Sequence, residues 1–209
     1  MTVHAPTSLD PAAAMAPADT QIAARSAAAL RALRAAFRSD PPLRWLYPDE
    51  AAYDAHFDRF ARTLCAPSLD ARSLVSAEGG AALWIPPGAA PDDLALVETV
   101  ERTLPPDRRD DALSVFGAMG EAHPEEPHWY LPMIGVAPRA QGAGLGTALM
   151  APVLARCDAE GLPAYLEATT ERNAALYARL GFEPAAPLEV AGCPALLPMT
   201  RRPGGAGIR

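Results

Sequence analysis

Residues 137–150 read APRAQGAGLGTALM and place a glycine-rich loop directly before a stretch with a helical pattern of apolar residues. The glycines at 142, 144 and 146 remove the Cβ atoms that would keep a ligand away from the backbone. The first N–H groups of the helix have no partners within the helix, and they point toward the loop together with the positive end of the helix dipole. The stretch therefore predicts a binding site for an anion such as a phosphate, or else a plain tight turn.

The spacing of these glycines disfavours two common phosphate-binding loops. A P-loop needs Lys followed by Ser or Thr after its last glycine, and here Thr147 and Ala148 follow Gly146. A dinucleotide-binding G-x-G-x-x-G loop would begin at Gly142, which places Thr147 where the last glycine is needed. Two interpretations of the loop remain: an anion site of another kind, or a plain tight turn.

The residues around the loop predict a mixed sheet covered by helices. Gly79 and Gly80 separate two short apolar runs, which is typical of a hairpin. From residue 128 onward, strand-like and helix-like patterns alternate, as in βαβα units. The predicted strands are 72–78, 81–86, 128–136, 163–168, 185–190 and 195–201, and the predicted helices of this half are 144–161 and 170–182.

The N-terminal half is predicted to be mainly helical. Asp19 is placed to cap a first helix, and the Asp-Pro-Pro sequence at 40–42 is expected to end it. The apolar spacing predicts further helices over 48–65, 91–103 and 107–122. Residues 1–18 are rich in proline and alanine and are expected to form a flexible arm.

Composition narrows the class of partner. The chain has 209 residues with 18 basic and 25 acidic side chains, and its net charge of −7 disfavours a nucleic-acid partner. Its three cysteines lie far apart and lack metal-ligand spacing, so we expect reduced thiols, no metal and a cytoplasmic protein. The sequence contains no apolar run long enough for a membrane span and no recognisable targeting segment, so no membrane partner is expected.

One predicted strand carries two residues that disturb pairing. In the strand 128–136, Pro132 cannot donate a ladder hydrogen bond and Gly135 weakens pairing. We expect the strand to bulge away from a neighbour and open a cleft, although an irregular edge strand would show the same residues.

The hexapeptide from Gln141 to Gly146 fits the pattern Gln/Arg-x-x-Gly-x-Gly/Ala. It resembles the acetyl-CoA-binding motif of the GNAT superfamily of N-acetyltransferases. Residues 165–184, YLEATTERNAALYARLGFEP, resemble a second segment of the same superfamily, and both stretches are similar to those of puromycin N-acetyltransferase-like proteins. The resemblance implies an α/β GNAT fold, in which a mixed, mostly antiparallel sheet is splayed at the acetyl-CoA cleft and flanked by helices.

The resemblance also implies how acetyl-CoA, the cosubstrate, is bound. The pantetheine arm would pair with the backbone of Ile134 and Val136, and the pyrophosphate would lie on the amides of the loop. The full set of implied cofactor-binding residues is Ile134, Val136, Gln141, Gly142, Ala143, Gly144, Leu145, Gly146, Thr147, Asn173 and Tyr177.

The helix over 170–182 supplies a candidate acid. Asn173 and Tyr177 are four residues apart and therefore share one helix face. The resemblance implies that Tyr177 protonates the departing CoA thiolate, a task that suits a phenol with a pKa of ~10. Taken alone, Tyr177 could equally be an ordinary core tyrosine. Cys157 falls in the core stripe of the preceding helix, which disfavours an acyl-cysteine intermediate.

Glu167 is the candidate base. It lies at the end of the predicted strand 163–168, where it could accept a proton from an attacking amine, and the resembled family also has a glutamate there. A surface carboxylate in a salt bridge is the competing interpretation. His123, Glu125, Glu126 and His128 lie near the other strand and are interpreted as solvated loop residues.

These observations predict an N-acetyltransferase that moves acetyl from acetyl-CoA to a primary amine of a small molecule, with an amino-bearing antibiotic as the specific candidate. A protein lysine or N-terminal acetyltransferase and a non-catalytic acetyl-CoA sensor are the alternatives. Residues 19–203 would form one domain, with acceptor-side helices over about 19–122, the acetyl-CoA-binding core over about 128–190, and a tail at 204–209. A monomer or a homodimer would serve this function.

Overall fold

The computed structural model describes residues 17–69 and 73–204. Six strands form one sheet in the order β1-β2-β3-β4-β6-β5, and every neighbouring pair is antiparallel except β3 and β4. The predicted mixed and mostly antiparallel sheet is thereby confirmed. The strands are β1 (Leu74–Ala77), β2 (Gly80–Ile85), β3 (Trp129–Val136), β4 (Ala164–Ala168), β5 (Glu183–Pro184) and β6 (Leu197–Arg201).

Helices cover both faces of this sheet. The helices are α1 (Pro17–Ala36), α2 (Pro41–Leu46), α3 (Glu50–Leu64), α4 (Asp93–Thr103), α5 (Pro106–Glu121), α6 (Leu145–Glu160) and α7 (Glu171–Arg179). The side chains of β2 alternate between two apolar cores, as the period of a strand requires. Leu83 packs in the core formed with the N-terminal helices, and Trp84 packs in the core formed with α6 and α7.

The sheet is split between β3 and β4. Their parallel pairing is limited to Trp129 with Ala164 and Tyr130 with Tyr165. Pro132, two residues further along β3, has no N–H to donate, so the pairing cannot continue normally. The cleft expected from Pro132 is therefore present, while β3 stays paired with β2 along its other edge as far as Val136.

The structural role of Gly135 differs from the expected one, which was to weaken strand pairing. Gly135 remains paired with Ala81 of β2, so it does not loosen that edge. A Cβ atom at this position would lie 2.7 Å from the Cβ of Ala36 and 3.1 Å from Cδ2 of Leu33. The glycine thus lets the end of α1 pack directly on β3.

The N-terminal prediction needs two corrections. The first helix begins at Pro17, so Asp19 lies inside the helix and does not cap it. The Asp-Pro-Pro sequence does not simply end a helix, because Asp40 caps α2 through a hydrogen bond from the Leu43 amide to its side chain (3.1 Å). Most of the predicted arm, residues 1–16, lies outside the described residues, as do residues 205–209 of the predicted tail.

The strand predicted over 185–190 is wrong. The chain there forms one isolated bridge, between Leu188 and Leu196, and the short strand β5 precedes it. The segment between the two leucines turns at Ala191 and Gly192, both with positive φ angles, and this turn prevents a longer ladder. In the part of the chain that the structure describes, no helix is long and apolar enough to cross a membrane.

Candidate active site

The glycine-rich loop has the geometry of an anion cradle. Gly142 and Gly144 have φ angles of +88° and +77°, a conformation that side chains disfavour. A Cβ atom at either position would meet no protein atom within 4 Å, so the loop faces open space. Gly144 is the N-cap of α6 and provides no capping side chain, which leaves the first amides of the helix available to a ligand.

This loop forms one wall of a cleft with a volume of about 350 Å³. The cleft brings together every predicted cofactor-binding residue except Ala143, which is exposed outside it. Two cations that the sequence analysis missed, Arg172 and Arg179 of α7, also line the cleft. Their spacing along α7 could have indicated them. Arg172 and Arg179 are seven residues apart and therefore lie on one face of the helix, next to the predicted residues Asn173 and Tyr177.

The open edge of β3 forms a second wall of the cleft. The Ala137 amide donates to the Gly79 carbonyl (2.8 Å), so the backbone of Ala137 points toward β2. Because the backbone direction alternates along a strand, the N–H and C=O groups of Ile134 and Val136 point to the opposite edge, into the gap beside β4. The side-chain amide of Gln141 donates to the Val136 carbonyl (3.0 Å) and thereby fixes the loop to the strand.

Tyr177 lies on the α7 side of the cleft. Its side chain is buried, with 5% of the residue exposed, and it packs against Phe182 in the core formed with α6 and α7. Burial raises the pKa of Tyr177 well above that of a free phenol, and the nearby carboxylate of Asp40 raises this pKa further. Tyr177 is therefore both a core residue and a residue that lines the cleft. Because its pKa is raised, its hydroxyl stays protonated at neutral pH.

Asp40 is a site residue that the sequence analysis missed. It lines the cleft beside Tyr177, and the Thr169 hydroxyl donates a hydrogen bond to its Oδ2 atom (2.5 Å). Burial raises the pKa of Asp40, while the bonds from Thr169 and the Leu43 amide lower it. Aspartate followed by two prolines is a strong N-cap signal for a new helix, and that signal could have marked Asp40 as a buried cap.

A second, apolar cavity lies beside the cleft. Its volume is about 70 Å³, and Glu167 is the one charged residue among the described residues that line it. Phe37 lines both spaces, and Thr169 lines the cavity while bonding to Asp40 in the cleft. The lining residues are Phe37, Pro42, Leu43, Trp45, Leu46, Phe60, Leu64, Ala112, Val115, Phe116, Met119, Pro132, Met133, Glu167, Thr169, Cys193 and Leu196.

Glu167 is a buried carboxyl and not the surface salt bridge considered from the sequence. Its side chain is 4% exposed, and its Oε1 atom accepts no hydrogen bond within the described chain. Burial raises the pKa of Glu167 to about 7, against the lowering effect of the nearby Tyr130 and Tyr165 hydroxyls. A carboxyl with this pKa exchanges protons readily at neutral pH, as a general base must.

His123 and His128 differ from the solvated loop residues that were predicted. Both are half-buried, and the ring of His123 packs against Tyr130 and Tyr165 at centroid distances of 4.4 and 4.5 Å. Glu125 and Glu126 are exposed, as expected. The histidines were misjudged because the aromatic rings that bury them come from two separate strands.

Two further sequence predictions concern cysteine and metal chemistry. Cys65, Cys157 and Cys193 are all free thiols, and Cys157 lies in the core formed with α6 and α7, as its place in the apolar stripe predicts. Across residues 17–69 and 73–204, no group of three or more His, Cys, Asp or Glu residues is arranged to hold a metal ion.

Comparison with known proteins identifies this arrangement. Residues 95–182 match the family described as acetyltransferase (GNAT) family. A solved histone acetyltransferase HPA2 and related acetyltransferase from Corynebacterium glutamicum is 28% identical, with 88% of this chain and 94% of that chain covered and a TM-score of 0.57. The chain has the GNAT fold. The matched residues 95–182 contain the glycine cradle, the split between β3 and β4 and the helix that carries Tyr177.

Two other relatives agree with this assignment. An uncharacterized N-acetyltransferase of Schizosaccharomyces pombe is 40% identical over 58 residues, which are 28% of this chain and 24% of the yeast protein's length. Arylalkylamine N-acetyltransferase 2 from Aedes aegypti shares the GNAT fold at 14% identity, with 86% and 95% of the two chains covered and a TM-score of 0.59. The GNAT family match and the relatives named as acetyltransferases support an acyltransferase.

Proposed function

We propose that the protein is an N-acetyltransferase that transfers the acetyl group of acetyl-CoA to a primary amine of a small molecule. One observation carries the proposal. A polar cleft with an anion cradle meets an apolar cavity with a single carboxyl, and Tyr177 and Glu167 line the two spaces separately. An acid and a base on opposite sides of one junction suit direct attack of an amine on a thioester.

The residues of the cleft fit acetyl-CoA, which would supply an activated acetyl group as a thioester. Open space over Gly142 and Gly144 leaves room for the pyrophosphate, and the uncapped start of α6 offers amide donors. Arg172 and Arg179 add positive charge on the opposite wall. The backbone groups of Ile134 and the amide of Val136 face the open edge of β3 and would pair with the pantetheine amides.

Two residues of the chain would move protons. An alkyl amine is mostly protonated at neutral pH, so Glu167 must take a proton before nitrogen can attack, and its pKa of about 7 permits this. Tyr177 stays protonated because burial and Asp40 raise its pKa, so it would donate its proton to the sulfur as the C–S bond breaks. The attacking amine and the thioester are held together, so the transfer would proceed in a ternary complex without an acyl-enzyme.

The cavity supports a small amine with an apolar body. Its walls come from α2, α3, α5 and β3 and carry aromatic and aliphatic side chains, such as Trp45 and Phe116. A polycation would find only Glu167 as a counter-charge there. The specific acceptor that we propose is an amino-bearing antibiotic with an aromatic or aliphatic amine. This choice agrees with the resemblance to puromycin N-acetyltransferase-like proteins.

A protein lysine or N-terminal acetyltransferase and a non-catalytic acetyl-CoA sensor are the competing functions. A narrow apolar cavity of about 70 Å³ favours a small acceptor over a polypeptide. A sensor has no use for a buried carboxyl poised near neutral pH, which favours the enzyme. We place the protein in the cytoplasm, on the basis of its three free thiols.

A panel of acceptors with labelled acetyl-CoA tests the proposal. The panel contains 2-phenylethylamine as an apolar amine, spermidine as a polycation, and peptides with a free N-terminus or a lysine. We expect the highest kcat/KM with the apolar amine. Transfer to peptides alone would move the assignment to a protein acetyltransferase. Tight binding of acetyl-CoA without transfer to any panel member would favour the sensor.

A further inference from the structure

Glu167 is buried, so the proton that it accepts needs a path to water. Two polar contacts lead from it to His128, whose ring is partly exposed, and a third fixes the orientation of that ring. The Nε2 atom of His123 lies 3.8 Å from Oε1 of Glu167, Nδ1 of His123 lies 3.0 Å from Nε2 of His128, and Nδ1 of His128 lies 2.8 Å from the Glu126 carbonyl oxygen. The Glu126 carbonyl cannot take up a proton, so the proton leaves to water from the partly exposed ring of His128.

We propose that His123 and His128 form a proton relay that connects the buried carboxyl of Glu167 to solvent. The inference rests on the proposed acetyl transfer, in which Glu167 is the base. It assigns a task to two side chains that binding of acetyl-CoA and of the acceptor does not require.

The hydrogen-bond partners fix the tautomer of each ring. A carbonyl oxygen only accepts, so His128 must carry its proton on Nδ1 and present a lone pair at Nε2. His123 then donates from its own Nδ1 to that lone pair. Its Nε2 atom is left with a lone pair directed toward Glu167, which is the form that can accept a proton.

The surroundings of His123 hold it in this neutral state. Burial lowers the pKa of His123 to about 4, and the neighbouring His128 lowers it as well. The rings of Tyr130 and Tyr165 pack against it from β3 and β4. Glu167 interacts with both tyrosines, and the Cys65 thiol interacts with Tyr130. Such a ring holds a proton only briefly, which a relay requires.

The gap of 3.8 Å between His123 and Glu167 is longer than a hydrogen bond. A rotation of the Glu167 carboxyl when the amine arrives would close it. Oε1 of Glu167 has no hydrogen-bond partner within the described chain, so no bond to this atom opposes such a rotation.

The proton balance of the reaction requires one exit. An ammonium ion and acetyl-CoA give an amide, a thiol and one free proton, as a C–N bond forms and the C–S bond breaks. The amine loses two protons on the way to the amide. One goes to Glu167 and leaves through His123 and His128, and the other replaces the proton that Tyr177 gives to sulfur.

The test compares His123→Asn and His128→Gln with the wild-type protein, using the panel amine with the highest kcat/KM. Asn keeps the donor at the Nδ1 position of His123 but has no group at Nε2. We expect kcat to fall about tenfold or more in both variants, with CoA affinity unchanged. Added imidazole should restore part of the loss, because it carries protons that the missing ring would carry. His56→Asn, at a histidine on α3 outside both spaces, is the matched control.

The relay is overturned if both variants keep the wild-type kcat, or if imidazole fails to raise the kcat of either. His128→Gln leaves the packed ring of His123 in place, so a folding defect at His123 does not obscure the result. A second readout needs no acceptor. The ring ¹⁵N shifts of His123 should change at the pH where Glu167 titrates, and this change should vanish in Glu167→Gln. If no amine is acetylated, the proposed function fails, while the shifts still decide whether Glu167 and His123 are coupled.

Discussion

The Thr169 hydroxyl donates a hydrogen bond of 2.5 Å to the Asp40 carboxylate, and the two residues are 129 positions apart in the chain. Asp40 begins α2, which forms part of the cavity wall, and Thr169 follows β4, which carries Glu167. This bond therefore joins α2 to the end of β4 at the junction of cleft and cavity.

Replacing Thr169 by valine should destabilise the fold. The Asp40 carboxylate is buried, and without the hydroxyl it keeps only the Leu43 amide as a partner. We expect a loss of about 1–3 kcal/mol in the free energy of unfolding, measured with urea. Thr169→Ser keeps the hydroxyl and is the control, so equal stability of the two variants would contradict the role of this bond.

Gly144→Val should weaken CoA binding more than tenfold, or by about 1.4 kcal/mol or more, because a side chain would enter the space of the phosphates. Gly161→Val is a matched control at the other end of α6. Gly161 also has a positive φ angle (+69°) and open space around it, so both variants share the backbone strain. Isothermal titration calorimetry with CoA separates the two effects. Equal affinities in the two folded variants would argue against the cradle.

Glu167→Gln should change how stability depends on pH. Burial raises the pKa of Glu167 from 4.5 to about 7, so the folded protein binds a proton that the unfolded chain releases. The stability that this proton contributes is present at low pH and is lost as the pH rises through about 7. Relative to the glutamine variant, the wild type should therefore lose roughly 3 kcal/mol of unfolding free energy between about pH 4 and pH 8.

The same variant should lose the pH dependence of catalysis. The wild-type kcat/KM should rise with pH through about 7 as Glu167 ionises, and the variant should stay low across this range. The deficit of the variant is then largest above pH 7. A wild-type profile retained in Glu167→Gln would move the base to another group, and Asp40 would be the next residue to change.

Tyr177→Phe tests the acid. The change deletes one hydroxyl from a buried ring, so the packing against Phe182 is kept. We expect single-turnover acetyl transfer at saturating acetyl-CoA to slow by ~10²-fold, while CoA affinity changes little. Transfer within twofold of the wild-type rate would leave Tyr177 as a core tyrosine only.

Gly135→Ala and Gly117→Ala should have opposite effects on stability. A Cβ at Gly135 would lie 2.7 Å from the Cβ of Ala36 and would push α1 away from β3, at a cost of about 1–3 kcal/mol. A Cβ at Gly117 on α5 meets nothing within 4 Å, so alanine there should stabilise the helix by roughly 0.5–1 kcal/mol. Thermal unfolding of both variants measures the difference.

The elements from residue 128 to residue 182 could be predicted because their signals are local, whereas the strand predicted over 185–190 was wrong. The apolar stripe of α6 and the glycines before it lie within single stretches of sequence, and the structure places them as expected. The Thr170 side chain caps α7 by accepting from the Asn173 amide, which is also a local signal. The cleft residues follow from them, because α6 and α7 begin next to the open edge of β3.

The parts that could not be predicted depend on contacts between distant segments. Asp40 looks like a helix stop in sequence, and only Thr169 and Tyr177 show its place in the site. His123 and His128 lie in a polar loop, and their burial comes from tyrosines of β3 and β4. The apolar periodicity of one segment does not show which distant segment will contact it.

The limited pairing of β3 with β4 also affects how the sheet protects its backbone. In most sheets, the amides of a central strand are the slowest to exchange with deuterium, because both edges are bonded. Here β3 is central in strand order, yet its Ile134 and Val136 amides face a gap. These two amides should exchange as fast as those of an edge strand in the free protein, and a bound ligand that completes the ladder should slow them to the rate of the core.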